Sequence, residues 1–153
     1  FLITTSLFNS RYKGSDGIER NTAFNTKYVL NVLAGKEWRL AKNGKFLSVN
    51  MKLTTIGGKY LTPVDFERSQ QYQRTVYRED LAFSQRADAY FRADLKLSYR
   101  REYRKSTLEI SLDLQNVTNN KNVFTQTYNA RTNTVVTQYQ QSFFPVPFAR
   151  FTF

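Results

Sequence analysis

Apolar and polar residues alternate with a period of two along much of the chain, most clearly between Phe91 and Leu114. Phe91, Ala93, Leu95, Leu97 and Tyr99 alternate with Arg92, Asp94, Lys96, Ser98 and Arg100. After a short charged connection, Leu108, Ile110, Leu112 and Leu114 alternate with Glu109, Ser111, Asp113 and Gln115. A period of two sends successive side chains to opposite faces, so both runs are strands. One face is apolar and the other carries charges of both signs. That contrast suits either a soluble sheet packed on a core or a sheet with lipid on one side and water on the other.

The same pattern predicts four further strands. Phe1 to Tyr12 is the first, with Phe1, Ile3, Thr5 and Leu7 on one face, broken by the turn residues Lys13 to Gly17. Ala23 to Leu40 is the second, placing Tyr28, Leu30, Val32, Ala34, Trp38 and Leu40 opposite Lys27, Asn31, Glu37 and Arg39. Lys36 interrupts its apolar face near one end, where a long side chain can snorkel. Asn43-Gly44 predicts a tight hairpin over Ala41–Lys45. Phe46 to about Lys59 is the third strand, and Gly57-Gly58 predicts a bulge or sharp twist near its end. Leu61 to Ala89 is polar with no sustained period. The pair at Phe91–Leu114 supplies the fourth and fifth strands. The turn-rich gap Asn129–Asn133 precedes a sixth, Val135 to Phe153, expected to be bulged or edge-like at Pro145 and Pro147.

Connection lengths separate the two environments. They are short after the second and fourth strands, and longer or more polar after the first, third and fifth. Short turns at one end and long loops at the other is the arrangement of an outer-membrane barrel. Each run also supplies the roughly nine to eleven residues that a tilted strand needs to cross. Trp38, Tyr99, Phe151 and Phe153 near the short-turn ends suit an interfacial aromatic girdle. The fold class expected is therefore all-β, an antiparallel up-and-down transmembrane β-barrel segment. Six strands fall short of the smallest single-chain barrels, of about eight, and an open edge in lipid leaves backbone groups unsatisfied. The first strand is expected to pair outside this sequence, and the sixth to close on a distant strand of the same protein, unless several copies assemble. Phe1 opens within a strand-like run, so residues 1–153 are read as the C-terminal part of a longer barrel domain.

Composition narrows the chemistry. The chain has no Cys and no His, which removes disulfides, thiolate zinc sites and His-based triads. No run reaches the roughly 18 apolar residues of a membrane helix. Aromatic residues make up 16%, yet mean hydropathy is −0.56, a combination natural for a sheet apolar on one face only. The net charge of +11 invites a nucleic-acid reading, but the cations are spread over turns and polar faces with no basic helix, so no nucleic-acid partner is expected. No enzymatic activity, cofactor or metal site is expected either. Asp94, Glu109 and Asp113 are interleaved with Arg92, Lys96 and Arg100, and cross-strand ion pairs account for them. Matching outward faces allows two registers for the fourth and fifth strands: Lys96 against Glu109, or Lys96 against Asp113 with Arg100 against Glu109. The register between them opposes Asp94 to Asp113 and is disfavoured. Asn116-Val117-Thr118 has the form of a glycosylation acceptor, and Glu79-Asp80 that of a weak cation site; both are read as incidental.

Several segments together resemble the C-terminal end of TonB-dependent outer-membrane receptors of the Bacteroidetes type. They are Asp94 to Arg100, Ser111 to Asn119 and the closing strand ending on Phe153, with Tyr12 to Gly17, Arg20 to Asn25 and Leu33 to Glu37 upstream. The resemblance implies a barrel of about twenty-two strands filled by an N-terminal plug domain. It also implies active nutrient uptake (a glycan, peptide or metal chelate, for example) powered by the inner-membrane TonB–ExbB–ExbD complex. Phe151 and the terminal Phe153 are similar to the signal read by the barrel-assembly machinery. The location implied is the bacterial outer membrane, C-terminus periplasmic and long loops outside, in contact with lipid and with a surface lipoprotein. In the longest loop Tyr72, Tyr77 and Phe83 are the ligand-binding candidates. Arg92, Asp94, Lys96, Arg100, Glu109 and Asp113 are expected to form a lumen-facing charge network supporting the plug. Alternatives are a barrel of the same family that serves as a structural subunit of a membrane complex, and a passive pore.

Overall fold

The computed structural model describes residues 1–41 and 44–153. Six long strands form one antiparallel sheet: β1 (Leu2–Leu7), β2 (Tyr28–Ala41), β3 (Lys45–Ile56), β4 (Tyr90–Glu102), β5 (Thr107–Gln115) and β6 (Phe144–Thr152). They neighbour each other in chain order, an up-and-down meander. The sheet is open, with β1 and β6 as its edges. β1 covers only the Tyr28–Leu33 half of β2. The fold is thus all-β and antiparallel, as the alternation predicts.

Register makes each face continuous. One row crosses four strands as Trp38, Leu47, Tyr99 and Ile110, and reaches Ala149 on β6. The row above it is Lys36, Val49, Leu97, Leu112 and Pro147, and the next is Ala34, Met51, Leu95, Leu114 and Pro145. Between these rows lie Glu37, Ser48, Ser98, Ser111 and Phe148 on the opposite face. β4 and β5 take the second allowed register, Lys96 across from Asp113 and Arg100 across from Glu109, which keeps Asp94 away from Asp113.

Burial does not follow the apolar face. Ser98 and Ser111 are 7% and 4% exposed, whereas their neighbours Leu97, Ile110 and Leu112 are 37%, 50% and 38% exposed. Among the described residues, Ala93 and Tyr128 are the buried apolar ones. Among the described residues no second layer covers the apolar face, so the sheet has no core between two layers. Lys36 bends its ammonium over Trp38, 5.6 Å from the ring centroid and one row nearer the short turns. That is the snorkelling its position predicts.

Several strand ends differ from the sequence expectation. The first strand stops at Leu7, and Arg11–Lys13 instead pairs with Glu19–Asn21 in a separate ribbon around Lys13–Gly17. The second begins at Tyr28, not Ala23, because Lys27 holds φ 73° and breaks the extended backbone. The buried Asn25 side chain does the bonding there: its Oδ1 accepts from Ser10 N, and its Nδ2 donates to Asn9 and Asn21. The third ends at Ile56, before Gly57-Gly58. A Cβ on Gly57 would meet Thr26 O at 1.8 Å and one on Gly58 would meet Ala87 O at 1.8 Å. These glycines allow close backbone approach on both sides, rather than a bulge.

The sixth strand starts at Phe144, not Val135. Thr134–Tyr139 folds back on Val123–Asn129 as a hairpin, with Asn133 at φ 50° in its turn. No register shift marks Pro145 or Pro147; they sit on the edge strand, where a missing N–H donor is tolerated. Leu61 to Ala89 is ordered by an α-helix, α1 (Phe66–Tyr72), a 3₁₀ turn at Glu79–Leu81 and a ribbon pairing Tyr60–Leu61 with Gln85–Arg86. Seven residues are too few for a periodic signal, but Asp65 caps α1 by accepting from Arg68 N at 3.0 Å. The Ala41–Lys45 hairpin includes Lys42 and Asn43, which lie outside the described residues; Gly44 takes φ 66°. At the other end of β4, Tyr103 N donates to Ser106 O across the second short turn.

Candidate functional site: the polar face and the loop cleft

The meander sends the connections after β1, β3 and β5 to one end of the sheet, and backbone contacts fasten them together. Tyr60 N donates to Ala23 O at 3.0 Å and Ala87 N to Lys59 O at 2.9 Å. Tyr128 N donates to Thr75 Oγ1 at 3.0 Å, and Tyr77 OH to Gln126 O at 3.1 Å. Phe66 of α1 meets Tyr128 edge to face at 6.1 Å. The third connection is anchored by Asn116, which is 1% exposed and holds φ 50°. Its Nδ2 donates to Asn120 O and Gln141 O, and its N donates to Asp94 Oδ1. A side chain so enclosed is no glycosylation acceptor; the Asn-Val-Thr segment is a structural turn.

Below these loops, the polar face gathers the six predicted network residues. Their contacts are only in part direct cross-strand pairs, Glu109 with Arg150 being one. Arg92 bonds Asp94 on its own strand at 2.6 Å, Arg100 reaches Glu37 of β2 at 3.1 Å, and Glu109 is taken by Arg150 of β6 at 2.5 Å. Lys96 and Asp113 stand opposite each other in the ladder. The charges thus link β2 with β4, and β5 with β6, on one face. These half-exposed pairs contribute little stability, at most about 1 kcal/mol each. Asp94 has a further role: it accepts both Arg92 and the Asn116 backbone, joining the sheet to the third connection.

Where the three connections meet, they enclose an aromatic cleft of about 490 Å³. The first contributes Tyr12 and Phe24, the second Tyr60, Tyr77 and Phe83, the third Phe124. Of the three ring candidates predicted in the longest loop, Tyr77 and Phe83 line this cleft. Tyr72 does not; it ends α1 at 57% exposure, with Arg74 lying 6.0 Å from its ring. Phe83 is held at φ 53°, a backbone conformation uncommon for a bulky residue, and meets Tyr12 edge to face at 6.3 Å. Its N–H donates to Thr62 Oγ1 at 3.2 Å. Glu79 borders the cleft, while Asp80 is held by Arg78 at 2.9 Å, so the two acids do not act as a pair.

Sequence reading missed Tyr12, Phe24, Lys59, Tyr60 and Phe124. Each sits within a few residues of a turn or strand end, and nothing periodic marks them. Lys59 is the cleft's cation. Its ammonium donates to Phe124 O, lies 5.0 Å over the Phe124 ring, and has its pKa pushed below the ordinary lysine value by burial. A second cavity of about 420 Å³ opens on the polar face, with Asn31, Lys52, Thr54, Arg92 and Asp94 among its walls. Lys59 borders this cavity too. Among the described residues, no cluster of three acids forms a metal centre, and no helix is long and apolar enough to cross a membrane. No protein family matches the chain, nor does any curated protein or solved structure.

Proposed function

We propose that the chain forms the last six strands of a transmembrane β-barrel of about twenty-two strands, in an outer-membrane receptor driving TonB-dependent nutrient uptake. The observation that carries the barrel reading is the bare apolar face: side chains such as Leu97, Ile110 and Leu112 stand open while the serines on the other face are shielded. A sheet of this kind hides its apolar surface when it faces lipid. Along β4, the apolar rows from Phe91 to Tyr99 span about 19 Å of depth, at roughly 3.3 Å per residue and a 45° tilt. A barrel's apolar band is about 25 Å tall. Trp38 and Tyr99 share a row near the short turns, with Phe151 one row beyond, and supply rings at the interface.

The free edges of β1 and β6 take further strands of the same barrel, since an unpaired edge does not persist in hydrocarbon. The charged face then lines the lumen, where it meets a plug domain, and the loop cleft opens outside. Energised uptake rests on the resemblance to TonB-dependent receptors, with TonB–ExbB–ExbD, the assembly machinery and a surface lipoprotein as partners.

The test uses the complete protein in its own cells. Epitope tags placed after Ser15 or Asn129 should bind antibody on intact cells, and a tag after Arg104 only once the outer membrane is opened. Growth on any nutrient that requires the protein should stop when TonB is disabled. Labelling of the Arg104 tag on intact cells would overturn the topology. Growth that survives loss of TonB would leave a passive pore, and a protein required for no nutrient but held in a complex would leave a structural subunit.

A further inference from the structure

The loop cleft joins apolar rings to one partly desolvated cation, Lys59, with Glu79 also on its border. Its walls include six aromatic side chains from all three connections. Lys59 enters with its backbone fixed on both sides, by Ala87 N on Lys59 O and by Tyr60 N on Ala23 O. The preceding glycines are wedged against Thr26 O and Ala87 O, so only the side chain is free to move. Of the three ammonium donors, one is directed at Phe124 O, and no other protein acceptor meets the remaining two among the described residues. A cation placed over a ring in a mostly apolar cleft has lost part of its hydration and gains strongly from an anionic oxygen.

We propose that this cleft is a binding site for a ligand that carries a flat ring beside an anionic oxygen group, with Lys59 the residue that selects the anion. The ring lies among Tyr12, Phe83 and Phe124, and the carboxylate, sulfate or phosphate oxygen takes the two open donors of Lys59. This assignment rests on the loops opening to the outside of a barrel, and it names the class of ligand they admit. Lys59 is also the residue shared by the cleft and the polar-face cavity, where Lys52 and Arg92 stand among the walls. Those walls also carry Asp88 and Asp94, with Arg92 paired to Asp94, so an anion held at Lys59 meets charges of both signs on that side.

The assignment is tested with a matched pair of probes, 4-nitrobenzoate and 4-nitrobenzamide, which share a ring and differ in charge. Binding to the complete protein in detergent is measured by ligand-detected NMR and equilibrium dialysis. The benzoate should bind at least roughly tenfold more tightly, as expected for hydrogen bonds to a charged partner. Lys59→Gln should bring the benzoate down to the level of the amide, Lys59→Arg should keep the preference, and Phe83→Ala should weaken both probes alike. Equal binding of the two probes, or a preference that survives Lys59→Gln, overturns the assignment. Slow, heat-sensitive migration on gels reports barrel folding independently. A protein with that migration but no anion preference loses only the ligand assignment, and a protein without it loses the barrel reading, whatever the probes do.

Discussion

Replacing Leu97 by arginine sets lipid against water as the neighbour of the apolar face. Leu97 sits between Val49 and Leu112 in the cross-strand rows and is 37% exposed. If water faced it, the change would be a surface substitution worth within about 0.5 kcal/mol either way. At the bilayer midplane the same change costs about 2–4 kcal/mol, falling to about 0–1 near the interface. A protein layer packed over the face would also reject the charge, so one site does not separate lipid from protein. A depth series does. Leu95, Leu97 and Tyr99 are successive outward residues on β4, and Arg101 already holds a guanidinium at the next step. Each step is about 6.6 Å along the strand and about 5 Å in depth at a 45° tilt. Arginine at Leu95 or Leu97 should therefore cost about 2–4 kcal/mol, and at Tyr99 about 1 or less. Lys36 shares the Leu97 row but escapes this cost by reaching down to Trp38. The measurement is urea unfolding of the complete protein in lipid vesicles, followed by tryptophan fluorescence and gel migration. A flat profile across the three sites, or three changes all within about 0.5 kcal/mol, would refute the reasoning.

Four further outcomes test the geometry. The chain has no cysteine, so Ser98→Cys with Ser111→Cys gives a single pair directly across the β4–β5 ladder; it should oxidise to a disulfide, while Asp94→Cys with Asp113→Cys should not. Gly57→Ala places a Cβ against the Thr26 carbonyl and should lower stability by about 1–3 kcal/mol, read as a lower urea midpoint with an unchanged slope. Asn116→Ala removes two donated bonds and two accepted ones, from Asn120 N and Thr118 Oγ1, and puts alanine at φ 50°, a loss of about 3–4 kcal/mol that should expose residues 116–143 to protease. Asp16 bonds Arg20 at 2.6 Å and accepts from Ile18 N, which hold its carboxyl below the usual value of 3.8. Its folded pKa is depressed, so its contribution is present above pH 3.8 and is lost as pH falls through the lower folded value. Amide exchange in residues 11–21 should stay slow at pH 4 and speed up, beyond the intrinsic pH effect, below about 3.8; Asp16→Asn should remove that change.

The sheet was legible in the sequence because its two faces carry unlike side chains over long runs. Wherever that contrast holds, as from Phe91 to Tyr99 or Leu108 to Leu114, the period is strict, and charge on the polar face reduces the register to two choices. At the loop end the contrast disappears, since both sides of the backbone meet other loops. Strand limits are set there by single residues that bond or clear the main chain: Asn25 and Lys27 before β2, Asn116 after β5. None of these has a period, which is why alternation alone makes the second and sixth strands longer than they are. The Thr134–Tyr139 segment alternates well enough to pass for the start of β6, but the turn at Asn133 returns it to Val123–Asn129.

The cleft was harder to foresee for a related reason. Up-and-down order requires the first, third and fifth connections to share an end, and that much follows from counting strands. Which rings then converge depends on how closely the connections approach, and this is decided by residues with no binding chemistry of their own. Gly57 and Gly58 are the clearest case. Two side chains larger than hydrogen would hold the Thr26 and Ala87 carbonyls apart. Lys59 would then no longer lie between the rings of Phe24 and Phe124 on one side and the polar-face cavity on the other. The cation's place is thus fixed by its two glycine neighbours, so a Gly58→Ala variant should alter benzoate binding even though Gly58 touches no ligand.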